Sequence, residues 1–159
     1  MTPFHGIFRS ARSSGSALKV NRNWMNVISN NIANENTLST GSTDRFGNYI
    51  PYSRHVPVFE KILSENLRTN KVNNDVKNGV RVGEIVQLEG KFKKVYDPDH
   101  PAARKAGSED AGYVYYPDIS LAQEMADMRM ASASYEANLL AMNTANKMTK
   151  QALGIGRRV

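Results

Sequence analysis

Two stretches, one toward each end of the chain, place apolar residues at alternating intervals of four and three. Toward the C-terminus the rhythm runs Leu121, Met125, Met128, Ser132, Tyr135, Leu139, Met142, Asn146, Thr149 and Leu153, and seven of those ten are large and apolar. Toward the N-terminus it runs Ile7, Ala11, Ser14, Leu18, Asn21, Met25, Ile28 and Ile32, six of eight apolar. A repeat of about 3.5 residues keeps one face of a helix against a partner along its whole length. At a rise of about 1.5 Å per residue, the C-terminal run from Ser120 to Leu153 is on the order of 50 Å long. Such a helix does not bury itself in a small domain. The chain offers no other long helix candidate, so the two ends are expected to cover each other as a coiled-coil-like pair.

The punctuation agrees with this reading. Thr2 and Pro3 suit an N-cap followed by a first-turn proline. Pro117 stops a helix from extending upstream, and Ser120 with Gln123 reads as a capping box. At the far end Gly154 suits the left-handed residue that closes a helix, with Arg157 and Arg158 near the negative end of its dipole. Against a simple hairpin stands Ser13-Ser14-Gly15-Ser16, a poor helix-forming patch in which Gly15 costs about 1 kcal/mol relative to alanine. Two readings stay open for it: a place where another backbone approaches closely or the helix kinks, or a weak spot.

Between the helices the pattern changes. Residues 33–47 are polar and read as loop. Tyr49 to Phe59 is rich in β-formers, but Pro51 and Pro57 restrict it to an edge strand or an extended arm. Residues 64–78 are polar and asparagine-rich, a surface loop. Val80, Val82, Val86 and Leu88 alternate as in a half-buried strand, Gly90 turns the chain into a second strand at 92–96, and 112–116 is a third. Asp97-Pro98-Asp99-His100-Pro101 is turn chemistry. The expected fold is therefore α+β: a small antiparallel β-region of about three to five strands inserted between paired terminal helices. The divisions are 1–36 (N-terminal helix), 37–117 (arm, loops and β-region) and 118–159 (C-terminal helix).

Composition excludes more than it selects. The net charge of +6 is spread as +3, +2 and +1 over those three divisions, without the dense Lys/Arg stripe and interleaved aromatics of a nucleic-acid binder. There are no cysteines, hence no disulfides or thiolate metal sites. Nowhere do roughly 18 apolar residues stand together as a membrane span requires, and no apolar run of signal-peptide length opens the chain, so any route out of the cytoplasm is expected to need no cleaved signal. His5, His55 and His100 lack partners at metal-ligand spacing, and Asp97 and Asp99 lie in a loop that offers no desolvation to raise a carboxylate pKa. No catalytic residue, metal site or cofactor is expected, and the chain reads as a non-enzyme. The asparagines divide between capping at the end of the first helix (Asn30, Asn31, Asn34, Asn36) and a register-fixing role on a buried seam, for which Asn21 and Asn146 are the candidates.

Ser13–Leu18 and Met25-Asn26-Val27-Ile28-Ser29-Asn30-Asn31-Ile32-Ala33-Asn34-Glu35-Asn36-Thr37 closely resemble the N-terminal signature of bacterial flagellar axial proteins, the rod and hook family. Val95 to Pro101, Gly112-Tyr113-Val114, Tyr116 to Ile119, Met125 to Met128 and Ser134 to Asn138 resemble its proximal-rod members. Gly15, Asn30, Asn31, Ala33, Asn34, Asp97, Pro98, His100, Pro101, Gly112 and Tyr113 carry the signature, and the loops at 38–48 and 64–78 lie outside it. The resemblance implies a subunit exported unfolded through the flagellar type III apparatus. It further implies assembly into a hollow rod in the periplasm, with terminal helices forming the inner tube and the β-region packed outside. Its implied partners are copies of itself, the rod proteins FlgB, FlgF, FlgG and FliE, and the export apparatus; neither nucleic acid nor a membrane span is implied. The residues read without that resemblance leave one other class, a generic coiled-coil adaptor or basic nucleic-acid-binding module.

Overall fold

The computed structural model describes residues 4–62, 79–88, 91–105, 107 and 110–156. In chain order these form α1 (Phe4–Ala33), β1 (His55–Ile62), β2 (Gly79–Gln87), β3 (Phe92–Tyr96), β4 (Tyr113–Pro117) and α2 (Leu121–Gly156). The class is α+β, with a helix at each end of the sequence and strands between. The Thr2–Pro3 cap, the loop at 64–78, the turn at Gly90, the Arg157–Arg158 pair and the side chains of His5 and Ile7 lie outside the described residues.

The ends of α2 differ from the sequence expectation, whereas α1 closes on one of the foreseen capping asparagines. α2 opens on the backbone, with the Glu124 amide donating to the Ser120 carbonyl at 3.0 Å, while the Ser120 and Gln123 side chains stay exposed. It then runs through Gly154 to Gly156, and Gly154 does not take the left-handed conformation. Glycine permits that turn but does not compel it, and here the helix continues through the position. α1 closes on Asn34, whose side chain donates to the Asn30 carbonyl at 2.8 Å and whose carboxamide oxygen accepts from the Thr37 hydroxyl at 3.1 Å. Capping is thus the role of Asn34.

The strands are found near their expected positions, but their pairing is not a single sheet. β1 pairs with β2 and β3 with β4, giving two two-stranded sheets. β3 and β4 are antiparallel in the register Phe92↔Pro117, Lys94↔Tyr115 and Tyr96↔Tyr113. Apolar alternation says that a segment is a strand and says little about its neighbour; here aromatic pairs choose. Phe92 stacks on Tyr115 at 5.8 Å and Tyr96 meets Tyr113 edge-on at 5.1 Å between centroids, cross-strand contacts worth about 0.5–1 kcal/mol each. Upstream, Tyr49 forms only an isolated bridge to Thr43, and the strand begins at His55.

The chain divides into two compact units: Met1–Met25, Pro57–Glu84 and Arg129–Val159 in the first, Asn26–Val56 and Ile85–Met128 in the second. In the first unit α1 and α2 meet around Val20, Ala131 and Ala145, all buried, and Asn21, also buried, donates to the Ser134 hydroxyl at 2.9 Å. The Ser13–Ser16 patch finds its explanation in this unit. Ser16 Oγ accepts the Val80 amide at 3.1 Å while donating to the Ser13 carbonyl at 2.7 Å, and a Cβ on Gly79 would stand 2.8 Å from that hydroxyl. The start of β2 therefore docks on the helix at the serines, and α1 stays helical through Gly15. In the second unit the core comprises Val27, Ile28 and Val114, with Pro51 and Pro117 buried beside the polar Asn31, Asn48 and Glu124.

Candidate functional site

In the second unit the end of α1, the start of α2 and the segment at 52–55 converge on a polar node. Glu124 is fully buried; its Oε1 accepts from Arg54 Nε at 2.6 Å and its Oε2 from Asn31 Nδ2 at 3.2 Å. Arg54 also reaches Asp127 at 3.4 Å. Asn31, 1% exposed, uses both ends of its carboxamide: the nitrogen donates to the His55 carbonyl at 2.8 Å, and the oxygen accepts from the His55 amide and the Tyr52 hydroxyl, each at 3.0 Å. Burial, with the Glu124 charge, raises the Tyr52 phenol above its ordinary pKa, so it remains a donor. A buried carboxylate is costly unless paired and fully hydrogen-bonded, and this one is. The arrangement ties the end of α1, the start of α2 and the segment at 52–55 together.

A second polar cluster builds a rigid turn in the same unit. Asp44 Oδ1 accepts the Phe46 and Asn48 amides at 2.8 and 2.9 Å, its Oδ2 accepts from Asn48 Nδ2 at 3.0 Å and from Arg104 at 2.9 Å, and Asn48 Oδ1 accepts the Lys105 amide at 3.0 Å. Gly47 takes φ 73°, a conformation that needs glycine. The Asn48 side chain and amide, then the Phe46 amide and Arg104, hold the Asp44 carboxyl below the usual range against the opposing effect of burial. Arg104 lies 4.1 Å from the Tyr115 ring centroid, and Tyr115 bonds Asp110, which the Tyr115 hydroxyl and Lys94 together hold below the usual carboxylate range.

The seam foreseen for α2 is turned inward only at alternate positions. Met128, Tyr135, Met142 and Thr149 are half-buried, but Leu121, Met125, Leu139, Asn146 and Leu153 are exposed. The rest of the inward face lies one residue before the exposed seam positions: Glu124, Ala131 and Ala145 are buried, Asn138 and Ala152 half-buried. Those residues are small or polar; their side chains let another element come close, whereas Leu121, Met125, Leu139 and Leu153 are left outside. Leu140, Met148 and Leu153 are 69%, 53% and 64% exposed. On α1 the foreseen positions Ala11, Leu18, Met25 and Ile32 are half-buried, while Asn21 and Ile28 are buried. Asn21 holds the partnered seam position and Asn146 faces outward.

In the first unit the two helices leave between them a groove of about 500 Å³, lined by Ser10 and Ser14 of α1 and by Ala137, Leu140, Ala141, Thr144, Ala145 and Met148 of α2. A Cβ on Gly15 would meet nothing within 4 Å. Small residues on the floor and long apolar ones at the rim are what a ridge of another helix requires.

Of the signature residues, Asn31 sits in the node and Asn34 at the cap, while Asn30 and Ala33 are exposed on the last turns of α1. Asp97, Pro98, His100 and Pro101 form the corner after β3: the Asp97 amide donates to the Gly112 carbonyl at 3.0 Å, and His100 Nδ1 accepts the Ala102 amide at 3.0 Å. Gly112, at φ 83°, lies under the Tyr96 ring, where a Cβ would approach to 3.1 Å; Tyr113 is exposed at the strand start. Among the described residues no three His, Asp or Glu side chains are grouped to hold a metal, and no helix is long and apolar enough to cross a membrane. Sequence reasoning missed Arg54, Glu124 and the Asp44–Asn48–Arg104 cluster. The recurrence of small or polar residues at 124, 131, 138, 145 and 152 was the one signal that could have exposed the true inward face.

Comparison with known proteins gives two family matches. Residues 12–38 match the family described as flagella basal body rod protein, and residues 110–155 match the C-terminal region described for flagellar basal body rod FlgEFG proteins. Among curated proteins, the flagellar basal-body rod protein FlgC of Bacillus subtilis (strain 168) is 34% identical over 99% of this chain and 100% of its own length. That of Borreliella burgdorferi is 35% identical over 94% and 97%, and that of Aquifex aeolicus 36% identical over 86% and 87%.

Proposed function

Because this chain belongs to the flagellar basal-body rod protein FlgC family, we propose that it is a structural subunit of the rod that polymerises through its terminal helices and performs no chemistry. In this reading residues 1–36 and 118–159 build the inner tube of a hollow drive shaft and 37–117 pack outside it. The shaft crosses the periplasm and transmits torque. The neighbours are copies of this chain and other rod proteins, FlgB, FlgF, FlgG and FliE among them, and the chain reaches its place unfolded through the export apparatus.

The observation that carries the proposal is the pairing of an outward apolar ridge on α2, Leu139, Leu140 and Met148, with the small-residue groove beside it. Burying such a ridge yields about 25 cal/mol per Å², which a solitary chain forgoes. Leu139→Asp and Leu140→Asp change exposed positions, so the chain should still be made and folded while rod assembly and swimming are lost. Normal swimming of cells that depend on either variant would refute this reading.

A further inference from the structure

The turn at 43–49 is among the most heavily hydrogen-bonded segments of the second unit, and what it holds out to solvent is a phenyl ring. Phe46 is 65% exposed at the tip. Its own amide is fixed by Asp44, and the turn is tied down by Arg104 and by the Lys105 amide through Asn48. A pre-ordered loop presenting an aromatic ring loses little entropy when that ring is buried, the usual property of a binding anchor. Arg45 beside it is exposed and has no ion-pair partner among the described residues.

The same unit contains a receptor for such a ring. A cavity of about 230 Å³ is lined by Val27, Asn30, Asn34, Tyr52, His55 and Ile85. An apolar cavity of about 150 Å³ already takes a benzene molecule. Two rings in its wall, Tyr52 and His55, lie 4.9 Å apart, and aromatic side chains pack favourably edge-to-face against a third. Glu35, next to the lining residue Asn34, carries a carboxylate without an ion-pair partner among the described residues, opposite in sign to Arg45.

We infer that Phe46 of one copy seats in the Val27–Tyr52–His55–Ile85 cavity of the next copy, with Arg45 drawn to Glu35. Anchor and receptor are different patches of one chain, so the contact is head-to-tail: it builds a ring where its rotation closes and a helical array where it does not. The inference rests on the rod reading and assigns a contact to the loop at 38–48 that the family signature leaves uncovered.

The chain has no cysteine, which makes the test clean. Thr43→Cys and Asn30→Cys variants, which keep the Phe46 ring and place one thiol on the turn and one at the cavity, are given different tags and co-produced in swimming cells that have no other copy of the chain, and isolated basal bodies are treated with a short bis-maleimide. A covalent dimer carrying both tags is expected, absent when either cysteine is left out. Phe46→Ala should lower incorporation into basal bodies about tenfold or more with unchanged thermal unfolding, and Phe46→Leu should restore most of it. Basal bodies that contain both variants but give no doubly tagged dimer, or a cross-link to a different rod protein instead, overturn the inference and leave the rod reading standing. Absence of the unsubstituted chain from basal bodies overturns both.

Discussion

At the scale of single residues, a few polar side chains carry more of this structure than any apolar one. Glu124 was legible in the sequence only as one acid in the first turn of a helix, because nothing local says that Arg54, 70 positions away, will be its partner. Deleting it strands two groups at once, the Arg54 guanidinium and one donor of Asn31. Glu124→Ala should therefore cost about 3 kcal/mol, and Glu124→Gln, which keeps the shape and loses the charge, less. Denaturant unfolding should show the midpoint falling with an unchanged slope; equal midpoints for Glu124→Ala and the unsubstituted chain would show that the node adds no stability. Asn31, by contrast, was singled out in advance through the family signature, and the structure gives the physical content: each end of its carboxamide is in use, so no other residue type reproduces it.

At the scale of elements, the serine patch in α1 shows what pattern reading does and does not deliver. The sequence posed the right alternatives, close approach or weakness, and the structure answers with the approach of β2 at Ser16 and Gly79. Gly15 itself makes no such contact among the described residues. The two glycines should then respond in opposite ways to alanine. Gly79→Ala forces its new methyl against the Ser16 hydroxyl and should destabilise the chain, whereas Gly15→Ala should stabilise it by up to about 1 kcal/mol through helix propensity alone. Melting temperatures of the two variants moving in the same direction would contradict this assignment. The strands carry a similar lesson, since alternation located β2, β3 and β4 to within a residue or two but did not choose their neighbours. Pairing was decided by which side chains meet across the ladder, such as Phe92 with Tyr115, and that is a property of two strands together.

At the scale of the whole molecule, the chain holds its apolar surface unevenly. The stretches around Asn31 and Glu124 are buried and cross-linked, whereas Leu139, Leu140, Met148 and Leu153 of α2 stand outside. Amide exchange in the dilute chain should be graded accordingly, slow at 27–32 and 124–128 and fast from 139 onward, and uniform protection along α2 would contradict this. The sequence by itself determined the helices at the two ends, the β-segments between them and the absence of cysteine chemistry, because periodicity and composition are local properties that each segment carries alone. Tertiary structure decided which face of α2 turns inward. A 3.5-residue rhythm marks several candidate stripes, and close approach brings the small Ala131 and Ala145 inward beside the half-buried Met128, Tyr135 and Met142, leaving Leu121, Leu139 and Leu153 outside. It also decided that Arg54 and Glu124 share one buried site, since a charge pair between distant positions leaves no trace in either neighbourhood.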